Sequence, residues 1–291
     1  MERIIHFGIE QTFDGIARKP RYDHILIKKG NGRGVVGTGT QPSFEDKVKE
    51  FDEQVAAGKM ELRDWKCRYD GYNWGGSRFV EGMENGLHIS IGPTSFGEWR
   101  EDYKRPETVA TGLQKVGEEM HKDLGFYLSQ GLGAAVLTMT REGDVIVGVR
   151  KSDSYDGAIH GAAGWMAFDR DVKNINLIKD AYLELNEELA VNPSQVSSLR
   201  LIGLVAYPKT LEADFVFVAR TDKERDYFTS GAWKDAVDAK EHRDLIVLDH
   251  PQQIERLLGE GKVADGEKKY EVLASTAYGL EMLAKHWDAL R

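Results

Sequence analysis

The chain has 291 residues, one cysteine and a formal charge of −9. An acidic chain with no basic face is poorly suited to gripping nucleic acid through its phosphates, and a lone Cys67 allows neither an internal disulfide nor a thiolate zinc site. No apolar run approaches the roughly eighteen residues that span a bilayer, so no membrane partner is expected. The apolar share of 41% and charged share of 30% are ordinary for a globular protein with the bulk for two modest domains.

Residues 3–9 and 23–28 read as short strands. The opening MERIIHFGIEQTF lacks the apolar core of a signal peptide, and a cytoplasmic protein is expected. Gly32, Gly34 and Gly37 satisfy GxGxxG, but the dinucleotide fingerprint needs a helix that starts inside the motif. Here the loop runs on to Ser43, a helix cap, so a hairpin or mobile loop is expected, with Arg33 able to reach a phosphate. A charged helix follows over 43–57. Residues 65–78 read as a loop crowded with Trp65, Tyr69, Tyr72 and Trp74, which either stack on a base or sugar or pack between domains. Residues 86–91 form a strand, and 106–130 are mostly helix. On that helix Lys115, His121 and Lys122 surround Glu118 and Glu119, and ion pairing accounts for them.

In the second half, 133–140 and 144–150 are antiparallel strands joined by a hairpin. Arg150 and Lys151 end the second strand, either neutralising a phosphate or forming a plain surface pair. His160 reads equally as a structural hydrogen-bonder or a catalytic group. In the helix over 178–191, Ile178, Ala181, Leu185 and Leu189 form an apolar stripe, while Asp180, Glu184, Glu187 and Glu188 share an adjoining face. Glu184 has acids four residues behind and four ahead, an arrangement that costs helix stability unless a cation gathers them. Oxygen-only donors at this spacing suit Mg²⁺ or Mn²⁺; a solvated charged face is the plainer reading. Strands over 199–207 and 213–220 follow, then a helix over 221–233. Glu241 and His242 precede a buried strand over 244–249. A helix begins at Pro251, and another over 271–290 offers Leu273, Tyr278 and Leu283 for packing.

The run Leu183-Glu184-Leu185-Asn186-Glu187-Glu188-Leu189-Ala190-Val191 resembles the second half of the Nudix signature, Arg-Glu-apolar-x-Glu-Glu-x-Gly-apolar. Three glutamates and both apolar positions match. Leu183 stands where the family has arginine, and Ala190 where it has a helix-ending glycine, so Asn192 and Pro193 are expected to stop the helix a little later. Gly164 lies twenty residues before Glu184, against fifteen in the family, which leaves five residues to loop out. Asp169 or Asp171 stands in for the family's isolated glutamate. A fainter likeness lies in the order of elements around Thr94, Ser95 and Phe96: an apolar strand, a Thr-Ser-aromatic turn, then a long helix ahead of the core. That layout is similar to atypical Nudix proteins that hydrolyse UDP-glucose and UDP-galactose.

The resemblance implies an α/β fold, a Nudix-like α/β/α sandwich with a mixed sheet over 130–291, preceded by a smaller α+β domain over 1–129. It implies hydrolysis of the diphosphate bond in a nucleoside diphosphate-linked small molecule, a UDP-sugar first among them. Mg²⁺ or Mn²⁺ would be held by Glu184, Glu187 and Glu188 with Gly164, and those three glutamates would carry the chemistry. Arg150, Lys151 and Trp165 would contact substrate, and Glu241 would be an extra acid. Because proteins of this family often dimerise, a homodimer is among the implied states. Leu183 in place of arginine favours the rival, a Nudix-like domain that binds a nucleotide without cleaving it.

Overall fold

The computed structural model describes residues 3–7, 25–75, 86–151, 154–263 and 268–290. A mixed sheet runs in the order β1 (Ile4–Phe7), β9 (Val196–Ala206), β10 (Ala213–Thr221), β5 (Leu132–Met139), β6 (Val145–Arg150), β11 (His242–Leu248). Strand β10 pairs with β5 in parallel and the other neighbours are antiparallel. Two short strands, β7 (Ile159–His160) and β8 (Ala162–Trp165), pair with β6 and β5. The interior strands are apolar on both sides, as a sheet covered on both faces requires. On one face Ala181, Leu185 and Leu189 of α4 (Leu177–Leu189) pack onto Leu132, Ala134, Phe215 and Phe217. On the other, Ile254 and Leu257 of α6 (Pro251–Glu260) and Tyr278, Leu280 and Leu283 of α7 (Ala274–Lys285) cover Leu137, Val147 and Val216. The expected α/β/α sandwich with a mixed sheet is what the chain forms.

A smaller sheet, in the order β2 (Ile25–Lys29), β4 (Gly86–Ser95), β3 (Trp65–Gly75), carries α1 (Phe44–Ala56), α2 (Phe96–Lys104) and α3 (Glu107–His121). Ser43 and Ser95 accept the N3 amides of α1 and α2 through their side chains, as good N-caps do. The two sheets are hydrogen-bonded to each other: Cys67 N donates to Met166 O at 3.0 Å and Tyr69 N to Gln130 O at 2.8 Å. Arg68, fully buried, adds bonds to Leu128 O and Gly125 O and an ion pair with Asp70. These ties hold α2 over the edge of the large sheet.

Several sequence expectations are corrected. Residues 65–75 are strand rather than loop. Trp65, Cys67 and Tyr69 alternate into the core, and a bulge between Tyr69 and Gly71 masks the period beyond them. Trp65 packs on Phe51 and Phe168, so it is structural; the side chains of Tyr72 and Trp74 lie outside the described residues. The helix after Pro106 stops at His121, where Lys122 turns left-handed at φ 58°. Thr221 ends β10, and the residues after it hold only α5 (Arg225–Thr229) and a 3-10 turn over Ala232–Asp235, separated by Gly231 at φ 85°. Strand β11 is an edge strand with Arg243 and Asp244 exposed, not a buried one. The closing helix spans Ala274–Lys285 before a short turn, α8 (Trp287–Leu290). Helix α4 stops at Leu189 because Ala190 itself takes the left-handed cap at φ 51° and ψ 36°, earlier than Asn192 and Pro193 would stop it. Among the described residues no helix is long and apolar enough to cross a membrane.

Candidate functional site

A cleft of about 770 Å³ is lined by α2, α4, β7 and β8. Glu184, Glu187, Glu188, Gly164 and Glu241 line it, and so do Arg150, Lys151 and Trp165. Residues chosen from separate stretches of sequence thus share one cavity.

The acidic wall is built by α4. Asn176 caps the helix through two backbone amides, and burial of the Ala181-Leu185-Leu189 stripe fixes which face looks into the cleft. Gly164 lies against Glu184: a Cβ there would overlap the Glu184 carboxylate. Burial, then the charges of Glu188, Glu187, Glu241 and Asp180, push the Glu184 pKa up to about 9. Burial also raises Glu187, Glu241 and Asp180, the last to about 6. Glu188 differs. It is 2% exposed, and its Oε2 accepts from His242 Nε2 at 2.5 Å while its Oε1 accepts from Ala163 N at 3.0 Å. Gly148 makes this possible, since any Cβ there would occupy the space of the His242 ring.

These groups fit a hard divalent cation in their chemistry, being oxygen donors with Glu184 sunk among like charges. Among the described residues, however, no three His, Cys, Asp or Glu side chains already meet as a metal-holding group. Asp169 and Asp171, the stand-ins for the family's isolated glutamate, accept backbone amides in the loop before α4 and lie away from the cleft lining.

Cations and aromatic rings share the cleft with the acids, most of them not singled out in the sequence. Lys66, Arg100, Lys104 and Lys240 line the cleft beside Lys151. From α2, Trp99 stacks on Phe96 and Tyr103 at 5.2 and 5.1 Å, and Trp165 meets Trp99 edge-on at 5.0 Å. Tyr103 continues the wall to Tyr155. The spacing of Phe96, Trp99 and Tyr103 at i, i+3 and i+7 on a capped helix was the available signal. Below this wall Glu212 accepts from Trp99 Nε1 and Thr210 Oγ1, and burial raises its pKa to about 8. Arg33 stays out of the cleft lining, paired with Glu101 and Asp102. Glu118 and Glu119 also stand outside it, Glu119 3.8 Å from Lys115.

No known sequence-family profile matches the chain, and no curated protein matches it in sequence. Solved structures do resemble it. DR0079 from Deinococcus radiodurans aligns over 52% of this chain and 82% of its own at 14% identity and a TM-score of 0.36. A Nudix hydrolase from M. smegmatis, RenU, aligns over 56% and 88% at 13% identity and a TM-score of 0.35. An Ap4A hydrolase from C. elegans aligns over 54% and 98% at 11% identity and a TM-score of 0.34. Likeness of this degree carries no argument about activity, which has to rest on the cleft.

Proposed function

We propose that the protein is a cytoplasmic, Mg²⁺-dependent hydrolase of the Nudix type that cleaves the diphosphate bond of a nucleoside diphosphate-linked small molecule, with a UDP-sugar as first candidate. The observation that carries this reading is one cleft lined both by Glu184, Glu187 and Glu241 and by Arg150, Lys151 and Lys66. An acid wall alone would repel a diphosphate, and a basic wall alone would only bind one. Glu184, Glu187 and Glu241 with Gly164 would hold Mg²⁺ or Mn²⁺, while Glu188 is held by His242 and Ala163. The ion, when bound, lowers the pKa of a water and offsets charge on phosphate oxygens. Arg150 and Lys151 bind and orient phosphate oxygens, and Trp165 with Trp99 and Phe96 offers ring faces to a base or sugar. Rings from α2 give the N-terminal region a part in substrate choice. Tyr103 and Tyr155 extend the ring wall of the same cleft.

A second reading, nucleotide binding without cleavage, is favoured by one feature. Leu183, 42% exposed at the cleft rim, replaces the arginine of the resembled signature. Incubation of the full chain with Mg²⁺ and a panel of nucleotide sugars, dinucleotides and nucleoside triphosphates separates the two. Product formation abolished by Glu187→Gln supports hydrolysis. Tight binding without product supports the second reading.

A further inference from the structure

We propose that His160 and Arg150 form a donor pair that receives phosphate oxygens of a nucleoside diphosphate; the proposal deepens the reading of the cleft given above and adds His160 to its binding residues. His160 sits on β7 in register with Gly148 of β6, two residues from Arg150. It is 6% exposed and lines the cleft.

The protonation state follows from hydrogen-bond geometry. Arg150 Nη1 lies 2.9 Å from His160 Nδ1. A guanidinium can only donate, so Nδ1 is the acceptor and the single ring proton sits on Nε2. A second proton, on Nδ1, would set N–H against N–H. Burial, then the charges of Arg150 and His242, also hold the His160 pKa well below its ordinary value. The ring is therefore a neutral donor of one fixed tautomer.

That donor has nothing to donate to. Among the described residues His160 Nε2 is buried without a hydrogen-bond partner, and so is Arg150 Nε. Buried polar groups in native proteins are nearly always paired, so two orphaned donors on hydrogen-bonded residues that line one cleft call for an acceptor, which enters as the side chains over them shift. The nearby carboxylates do not supply it. Glu212 is taken up by Trp99 and Thr210, Asp214 by Ser275 and Tyr207, Glu188 by His242 and Ala163, and Glu241 comes no closer than 3.6 Å to Arg150 Nη2. Oxygens that only accept and carry negative charge satisfy these donors, one for His160 and another for Arg150, and the lysines of the cleft favour an anion. In a diphosphate one phosphoryl group can meet this pair while the other faces the acidic wall.

The test is calorimetric titration of the full chain with UDP, inorganic pyrophosphate and uridine, in EDTA and in Mg²⁺. His160→Phe keeps an aromatic ring, one atom larger, and removes both nitrogens. It is expected to weaken UDP and pyrophosphate binding about tenfold and to leave uridine unchanged. His160→Gln keeps a donor at similar reach and should recover most of the loss. UDP affinity unaltered by His160→Phe would mean that an ordered water satisfies the donors, and would overturn the pair. So would failure of the unsubstituted chain to bind UDP or pyrophosphate. Should His160→Phe not fold, imidazole ¹⁵N–¹H spectra of the unsubstituted chain decide. The Nε2–H signal must shift on UDP addition, and a signal that stays put overturns the proposal. Failure of the hydrolytic reading looks different: no Mg²⁺-dependent product, yet UDP binding that still depends on His160. Turnover that requires Glu187 alongside UDP binding indifferent to His160 refutes only the donor pair.

Discussion

Glu184→Gln is the substitution whose outcome the structure fixes most tightly. Burial among like charges lifts the Glu184 pKa from 4.5 to about 9. An acid whose folded pKa is raised helps the folded state least where the unfolded chain has already released its proton. Its favourable contribution is complete below about pH 4.5, falls as pH rises, and is exhausted near pH 9. At about 1.4 kcal/mol for each pH unit, roughly 3 kcal/mol is lost by pH 7, an upper figure because the carboxyl still touches the cleft. Glutamine has the shape of the protonated acid and never ionises. In EDTA, Glu184→Gln should therefore be more stable than the unsubstituted chain at pH 8, by up to a few kcal/mol, and equal to it near pH 4.5. Urea melts at the two pH values measure this. Adding Mg²⁺ should then raise the midpoint of the unsubstituted chain and leave Glu184→Gln where it was. A variant less stable at pH 8, or one that Mg²⁺ stabilises as well as the parent, refutes the account of the acidic wall.

Four other substitutions probe three separate parts of the structure. Ala190→Gly removes a Cβ from a left-handed helix cap and should stabilise the chain by about 0.5–1 kcal/mol in a urea melt; a lower midpoint would contradict the cap geometry. Gly148→Ala drives a Cβ into the His242 ring and breaks its bond to buried Glu188, for a loss of about 2–4 kcal/mol. His242→Ala should cost a similar amount, and the double variant should cost well under the two combined; full additivity would separate Gly148 from Glu188. Under the proposed function, Trp165→Ala should raise KM for the nucleotide substrate about tenfold with a smaller change in kcat. An unaltered KM would remove Trp165 from the substrate face.

How much of this was legible in the sequence depends on how locally each feature is determined. Strands β5, β6, β9 and β10 are dense in Val, Ile, Leu and Phe because both faces are covered, and they were readable from composition alone. Helix α4 was readable because its apolar and acidic positions follow one period. Strand β3 was not, since its aromatic side chains and glycines suggest a loop until the partner strand β4 is known. The aromatic wall was hidden for a related reason: Trp99 and Trp165 meet only because β3 is stitched to the Met166 and Gln130 carbonyls, which carries α2 across the cleft.

The glutamates themselves show where helical spacing stops being informative. Period fixes the side of α4 on which Glu184, Glu187 and Glu188 stand, and it treats the last two alike. Their environments separate them. Glu188 is held by donors from β8 and β11, one of them fifty-four residues away, and only a glycine at 148 lets that donor approach. Glu187 faces the open cleft, and Glu184 rests on the bare backbone of Gly164. A count of acids on a helical turn therefore overstates how many stand ready for an ion. What decides is which carboxylates neighbouring strands have already satisfied, and no pattern within the helix carries that information.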